Sequence, residues 1–286
     1  MNFQKLLEQN DLFDSHCHFN SAVYNIDRKD LVNRAIQNNV EIVIDIGIDE
    51  DSSRKAVAIA KQFSGNVYAA VGVDPQLCIP GDEMYVDDMS KLFSQFGQIS
   101  KLAYDNRDKV IMVGETGLDL YWMKVKKLDE HSVQQSYKNQ KMLFEKHIEL
   151  ASELDLPLSI HSRESIDECI EILSKYNVGG VFHSLTPEVD DNEESFEKKV
   201  RTILEMGFYI SLNGIITYKS ANLLRNTIFK ILRSKNDDIQ DPIDFYEAGF
   251  IFETDGPYLS PEGKRGERNV PENIKGIYQF LVSLFN

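Results

Sequence analysis

The chain's 286 residues, 42% hydrophobic and 27% charged, suffice for one α/β barrel and contain no Pro/Gly/Ser-rich linker, so a single domain over 1–286 is expected. No apolar run approaches the ~20 residues that cross a bilayer and Met1 to Asp11 lacks a signal-peptide core, which favours a cytoplasmic protein with no membrane partner and no obligate protein partner. A formal net charge of −15 excludes an evenly basic nucleic-acid binder, so contact with phosphate requires local positive charge or metal.

Leu12–His18 reads as the first strand, and Leu31–Ile36 follows with helical spacing. Glu41–Gly47 and Val67–Val73 are strands on either side of a helix at Arg54–Phe63. Val110–Glu115 is a fourth strand that runs into Thr-Gly-Leu-Asp, a turn-rich loop, and a helix at Gln134–Leu154 leads to the strand Pro157–His161. Ile166–Tyr176 is helical, Gly180–Ser184 a strand, and Glu188 to Glu197 an acidic solvated loop after Pro187. The helix Phe196–Met206, strand Phe208–Asn213, helix Ala221–Leu232 and strand Phe250–Asp255 complete the series. Most of the strands run apolar without clean alternation, as parallel strands covered on both faces do. Eight strand-helix units predict a TIM (β/α)8 barrel, with a doubly wound open sheet as the rival. Three cysteines, Cys17, Cys78 and Cys169, odd in number and widely spaced, argue against disulfides.

Four of the six histidines stand with a glutamate and an aspartate where apolar runs end: His16, His18, Glu115, His161, His183 and Asp255. A barrel gathers such ends at one mouth, whereas an open sheet leaves its first and last strands apart. Asp14, His16 and His18 share one face of a period-two strand, so both imidazoles are expected to reach one cation, with Asp14 a deeper supporting acceptor and Cys17 in the core. Glu115 ends too apolar a strand to stay unpaired, and is expected to bridge two cations roughly 3.5–4 Å apart. His161 and His183 close neighbouring strands beside it. Asp255, stopped by Gly-Pro, meets His16 and His18 once the barrel shuts; it is expected to bind the first cation and take a proton from the attacking water, and Glu253, on the same face one layer lower, to give structural support. The donors predict two divalent metal ions, Zn, Mg or Mn, serving hydrolysis.

The motifs Asp14-Ser-His-Cys-His18, Gly114-Glu-Thr-Gly-Leu-Asp119, Pro157-Leu-Ser-Ile-His-Ser-Arg163, Phe182-His183, Glu253-Thr-Asp-Gly-Pro-Tyr258 and Arg265-Gly-Glu-Arg-Asn269-Val-Pro271 together resemble the TatD family of metal-dependent deoxyribonucleases, in the amidohydrolase superfamily. The resemblance spans nearly the whole chain. It implies a TIM barrel with two divalent metals that cleaves DNA phosphodiester bonds, often as a 3′-to-5′ exonuclease. His16, His18 and Asp255 then hold one metal, His161 and His183 the other, and Glu115 both.

Two departures accompany the likeness. After the third strand, where the family pattern has histidine, the chain reads Val71-Gly-Val-Asp74-Pro75; after His183 it reads Ser184-Leu-Thr-Pro187 and then the acidic stretch. Asp74 is placed near the phosphate and is expected to change activity or substrate preference. Arg163, two residues past His161, is the expected phosphate clamp, or else a salt-bridge partner of Glu164, Asp167 or Glu168. Lys124, Lys126 and Lys127, and Lys264, Arg265 and Arg268, supply local positive charge, with Lys264, Arg265 and Asn269 expected at the DNA substrate. Tyr121 and Trp122 pack their loop or stack a base. Alternative readings are a metal hydrolase of a small ester, lactone or amide, or a weakly active paralogue that binds a partner through the acidic stretch.

Overall fold

The computed structural model describes residues 3–8, 11–235 and 239–285. Its eight strands are β1 Leu12–Cys17, β2 Val40–Ile46, β3 Val67–Val71, β4 Val110–Asp119, β5 Leu158–Arg163, β6 Gly180–Phe182, β7 Tyr209–Leu212 and β8 Phe250–Phe252. They lie side by side in chain order and every adjacent pair is parallel. The seam between first and last strand is made just beyond β8: Asp255 N donates to His16 O at 2.8 Å and His18 N to Gly256 O at 2.7 Å. The sheet closes there as a TIM barrel, as the sequence predicts.

Helices fill the crossovers: α1 Phe3–Leu7, α2 Arg28–Gln37, α3 Glu50–Gln62, α4 Met89–Asp105, α5 Tyr121–Val125, α6 Glu130–Leu154, α7 Ile166–Leu173, α8 Glu193–Glu205, α9 Asn222–Lys235, α10 Pro242–Glu247 and α11 Ile274–Phe285. Every residue of β1, β3, β4, β6 and β8 is buried, because helices cover the outer face while side chains fill the interior. Two of the helices, α3 and α8, start on side-chain capping boxes: Asp49 accepts from Ser52 N at 2.7 Å, and Asn192 accepts from Ser195 N at 3.0 Å. Among the described residues no helix is long and apolar enough to cross a membrane.

All eight expected strands are present, with differences in their ends and their register. β4 continues to Asp119 and β5 to Arg163, so Thr-Gly-Leu-Asp is strand and not loop. From Val113↔Leu158 to Thr116↔Ile160, β4 advances three residues while β5 advances two. That extra residue is a bulge at Gly114-Glu115, and bulges re-aim side chains. β1 carries a similar bulge between Asp14 and Cys17, so the even alternation expected of Asp14, His16 and His18 is broken and His18 lies past the strand. His183 and Asp255 likewise sit just beyond β6 and β8. The helix α4 was not among those expected: its buried row Leu92, Ile99 and Ala103 is interrupted by Gly97 and by serines that read as loop.

Candidate metal centre

The ends of β1, β4, β5, β6 and β8 converge on Glu115. Its Oε2 lies 3.4 Å from His16 Nε2 and 3.7 Å from His18 Nε2. Its Oε1 lies 2.9 Å from His161 Nδ1 and 2.9 Å from His183 Nε2. Each carboxylate oxygen thus faces a different pair of imidazoles. Asp255 Oδ1 completes the first side, 3.4 Å from His18 Nε2 and 3.8 Å from His16 Nε2. All six residues expected to gather at one mouth are brought together there.

The bulge in β4 explains the place of Glu115. Gly114 has φ of +141°, and a Cβ there would lie 2.5 Å from Ser159 O, so only glycine lets β4 press against β5 at this point. Glu115 N donates to Gly47 O at 3.1 Å, which fixes the other side. Asp255 takes φ of +53°, an uncommon conformation for a side-chain-bearing residue. The seam bond to His16 O and the bond from Tyr258 N to Asp255 O, 2.9 Å, hold it there.

Supporting contacts orient the ligands. Ser159 Oγ meets His16 Nδ1 at 3.1 Å, leaving Nε2 for the centre. His161 Nε2 lies 3.1 Å from Asp119 Oδ2, and Asp119 also receives Trp122 N at 2.9 Å. Glu253 accepts from Asn213 Nδ2 at 2.9 Å and from Ser211 Oγ, and stands 3.7 Å from His183 Nδ1. Asp14 accepts from Thr254 N at 2.8 Å and Thr254 Oγ1 at 2.6 Å, tying β1 to the residues after β8. Glu253 and Asp14 therefore support, as expected. Sequence reasoning missed Ser159 and Asp119; the signal for Asp119 was its spacing from Glu115, hidden once the segment was read as loop.

The donor set fits cations. His16 Nε2 is buried with no hydrogen-bond partner, although it faces two carboxylates. The rings of His16 and His183 stack with centroids 3.9 Å apart, so both cannot be imidazolium at small cost. Burial depresses His16, and the charge of His183 adds to this. Burial also opposes charge on His183, yet Glu115 and then Glu253 raise it well above its usual range. Glu115, despite burial, is held well below the carboxylate range by His183 and His16. Protons on imidazoles neutralise the carboxylates where divalent cations can do the same job. Three compact donor groups result: His16, His18 and Asp255; His16, Glu115 and His183; Asp74, Glu115 and His161.

Residues 13–286 match the family described as TatD related DNase. The chain belongs to the TatD family. An uncharacterized metal-dependent hydrolase of Bacillus subtilis (strain 168), YabD, is 28% identical over 276 residues, covering 96% of this chain and 91% of that protein. A Buchnera aphidicola relative with the same description is 30% identical over 281 residues, 96% and 89% covered. The structure of YjjV, a TatD homolog from Escherichia coli K12, matches with a TM-score of 0.74 at 24% identity, over 96% of this chain and 90% of that one, a likeness of fold. The TatD chain described here is a metal-dependent hydrolase.

Its expected substrate contacts divide. Arg163 makes no ion pair among the described residues, so the alternative of a bridge to Glu164, Asp167 or Glu168 is corrected: its guanidinium lies 4.1 Å from the Tyr121 ring centroid and 5.4 Å from that of Trp122. Arg265 stacks on Tyr218 at 4.4 Å. Lys124 meets Glu164 at 3.4 Å, Lys126 donates to Gly81 O at 2.8 Å, and Arg268 pairs with Asp27 at 2.5 Å. Lys264 donates to Asn273 Oδ1 at 2.7 Å. Asn269 corrects its expectation: it is buried, donating to Thr254 O at 2.8 Å and accepting from Asn273 Nδ2 at 2.8 Å, so its carboxamide braces the seam and offers no exposed surface to a substrate. The acidic stretch is less solvated than expected. Glu188 and Asp191 close around Lys199, Asp191 at 3.0 Å, and Glu188 Oε1 receives Ile166 N at 2.9 Å.

Proposed function

We propose that this chain hydrolyses phosphodiester bonds of DNA with two divalent cations. The observation that carries the reading is Glu115, whose two oxygens each face a separate pair of imidazoles, as a carboxylate shared between two cations does. The family description supports DNA as the substrate. Zn, Mg or Mn at these positions would polarise the phosphoryl oxygens and offset charge developing on them. His16, His18 and Asp255 would hold one, His161 and His183 the other, and Glu115 both.

The remaining work falls to the chain's own groups. Asp255 is kept ionised against burial by His18, so it can accept the proton of the attacking water. Arg163 and Arg265 have no carboxylate partner among the described residues and lie on the barrel mouth with their planes against aromatic rings. A guanidinium so placed can pair two phosphate oxygens without first breaking an ion pair. They supply the local positive charge that a chain of net −15 needs to meet DNA.

The test is cleavage of end-labelled single- and double-stranded oligonucleotides by metal-stripped protein reconstituted with Zn, Mg or Mn, with Glu115→Gln as control. Metal-dependent cleavage lost in the variant supports the reading. Absence of cleavage with every metal, alongside turnover of a small ester or lactone, replaces it with the carbonyl-hydrolase alternative.

A further inference from the structure

We propose that Asp74 is an additional ligand of the cation held between Glu115 and His161, a role that rests on the two-cation reading above. The loop after β3 is built to bring it there. Gly72 lies so close to β4 that a Cβ would stand 2.5 Å from Gly114 C and 2.6 Å from Glu115 O. Val73 N donates to His147 Nε2 at 3.0 Å, and Asp74 N donates to Ile48 O at 2.9 Å. Three consecutive residues are therefore held in place, Gly72 against the strand that carries Glu115, Val73 by α6 and Asp74 by the residues after β2. The Asp74 carboxylate ends with an oxygen within 4.8 Å of a ligand atom of both Glu115 and His161.

Its two oxygens are used unequally. Oδ1 receives Gln76 N at 2.6 Å, whereas Oδ2 has no hydrogen bond among the described residues. Asp74 is only 5% exposed. No lysine or arginine pairs with Asp74, Glu115 or Asp119 among the described residues; the ionic partners of Glu115 and Asp119 there are histidines. Three buried carboxylates around one imidazole call for more positive charge than that single ring can supply. Direct contact of Asp74 with a phosphate would be repulsive, so a cation between them reconciles its place with the proposed substrate. The added oxygen donor gives this position two imidazoles and two carboxylates, the same complement that His16, His18, Asp255 and Glu115 offer on the other side.

Asp74→Asn tests this, because an amide oxygen can still accept from Gln76 N while the charge is lost. Full-length protein stripped by chelator is titrated with Mn²⁺ by calorimetry and electron paramagnetic resonance, and with Co²⁺ by visible absorption. One binding step is expected to weaken at least about tenfold, by analogy with changes around metal ligands, with an altered Co²⁺ spectrum for that step and the other step unchanged. Unaltered affinities and spectra overturn the proposal. Wild-type protein that binds one equivalent, weakened by the substitution, keeps Asp74 as a ligand while removing the two-cation reading; wild-type protein that binds neither ion removes both. If Asp74→Asn does not fold, Asp74→Ser keeps a capping oxygen and is read the same way.

Discussion

Asp119 holds the Nε2 of His161 at 3.1 Å while the Nδ1 of the same ring faces Glu115 at 2.9 Å. A carboxylate only accepts, so Nε2 carries a proton and Nδ1 is the nitrogen turned to the centre. Asp119→Asn should leave the barrel folded but lower affinity for the cation proposed at His161 about 10–100-fold. Equilibrium dialysis with metal analysis checks it; unchanged affinity would assign Asp119 only to capping Trp122.

Cation binding must displace protons. Burial opposes charge on His161, but its bonds to Asp119 and Glu115 push it up to about 10; burial likewise opposes charge on His18, which Asp255 pushes up to about 9. Both rings are protonated in the metal-free protein at neutral pH and must lose a proton to become ligands. Metal affinity should therefore climb as pH rises from 6 towards these values, with protons released. Calorimetry in buffers of different ionisation enthalpy measures the release; a value of zero would contradict this arrangement.

His147 makes stability depend on acid. Burial pushes it down to about 4, with the Leu143 carbonyl only partly opposing; Nδ1 donates to that carbonyl at 2.7 Å and Nε2 accepts from Val73 N. Unfolding restores the ordinary value of 6.5, so the unfolded chain binds more protons between the two. The neutral form's contribution is complete above 6.5 and is lost as pH falls through about 4, on the order of 3 kcal/mol. His147→Gln, which can keep both bonds, should flatten urea-unfolding midpoints over that window. Equal slopes for variant and wild type would place the acid sensitivity elsewhere.

Gly72 allows the third and fourth strands to touch behind the centre. Gly72→Ala should cost about 1–3 kcal/mol through overpacking against backbone that cannot rotate away, and loosen cation binding as the loop retreats from Glu115. Thermal unfolding with and without Mn²⁺ reads both; an unaltered melting temperature would mean the loop shifts freely.

Arg163→Ala should lower kcat/KM for oligonucleotides about 10–100-fold, the worth of a charge-assisted contact, with KM carrying most of the change. Steady-state kinetics decide it, and an effect on kcat alone would indicate that Arg163 acts through the positioning of His161.

Much of the centre was legible because its six donors stand at the ends of apolar runs, and a run of such strands has one way to close. Period-two reasoning reached His16 and His18, and the end of an apolar run reached Glu115, but neither reached the bulges that place them, since an extra residue in a strand leaves no compositional mark beyond glycine. Asp119 stayed hidden because Thr-Gly-Leu-Asp has turn composition, and strand pairing with β5 overrides that local preference. Asn269 was misplaced for a different reason: a motif shared in order along the chain does not say which way a side chain points. The acidic stretch read as solvated because its counter-charge, Lys199, comes from the following helix.

The bonds that join the first strand to the residues after the last one run through His16, His18 and Asp255 themselves. Sealing the cylinder and completing the position made by His16, His18 and Asp255 are consequently one event. Until β8 and the turn after it have been added, a growing chain has neither the seam nor Asp255, and that half of the centre stays open.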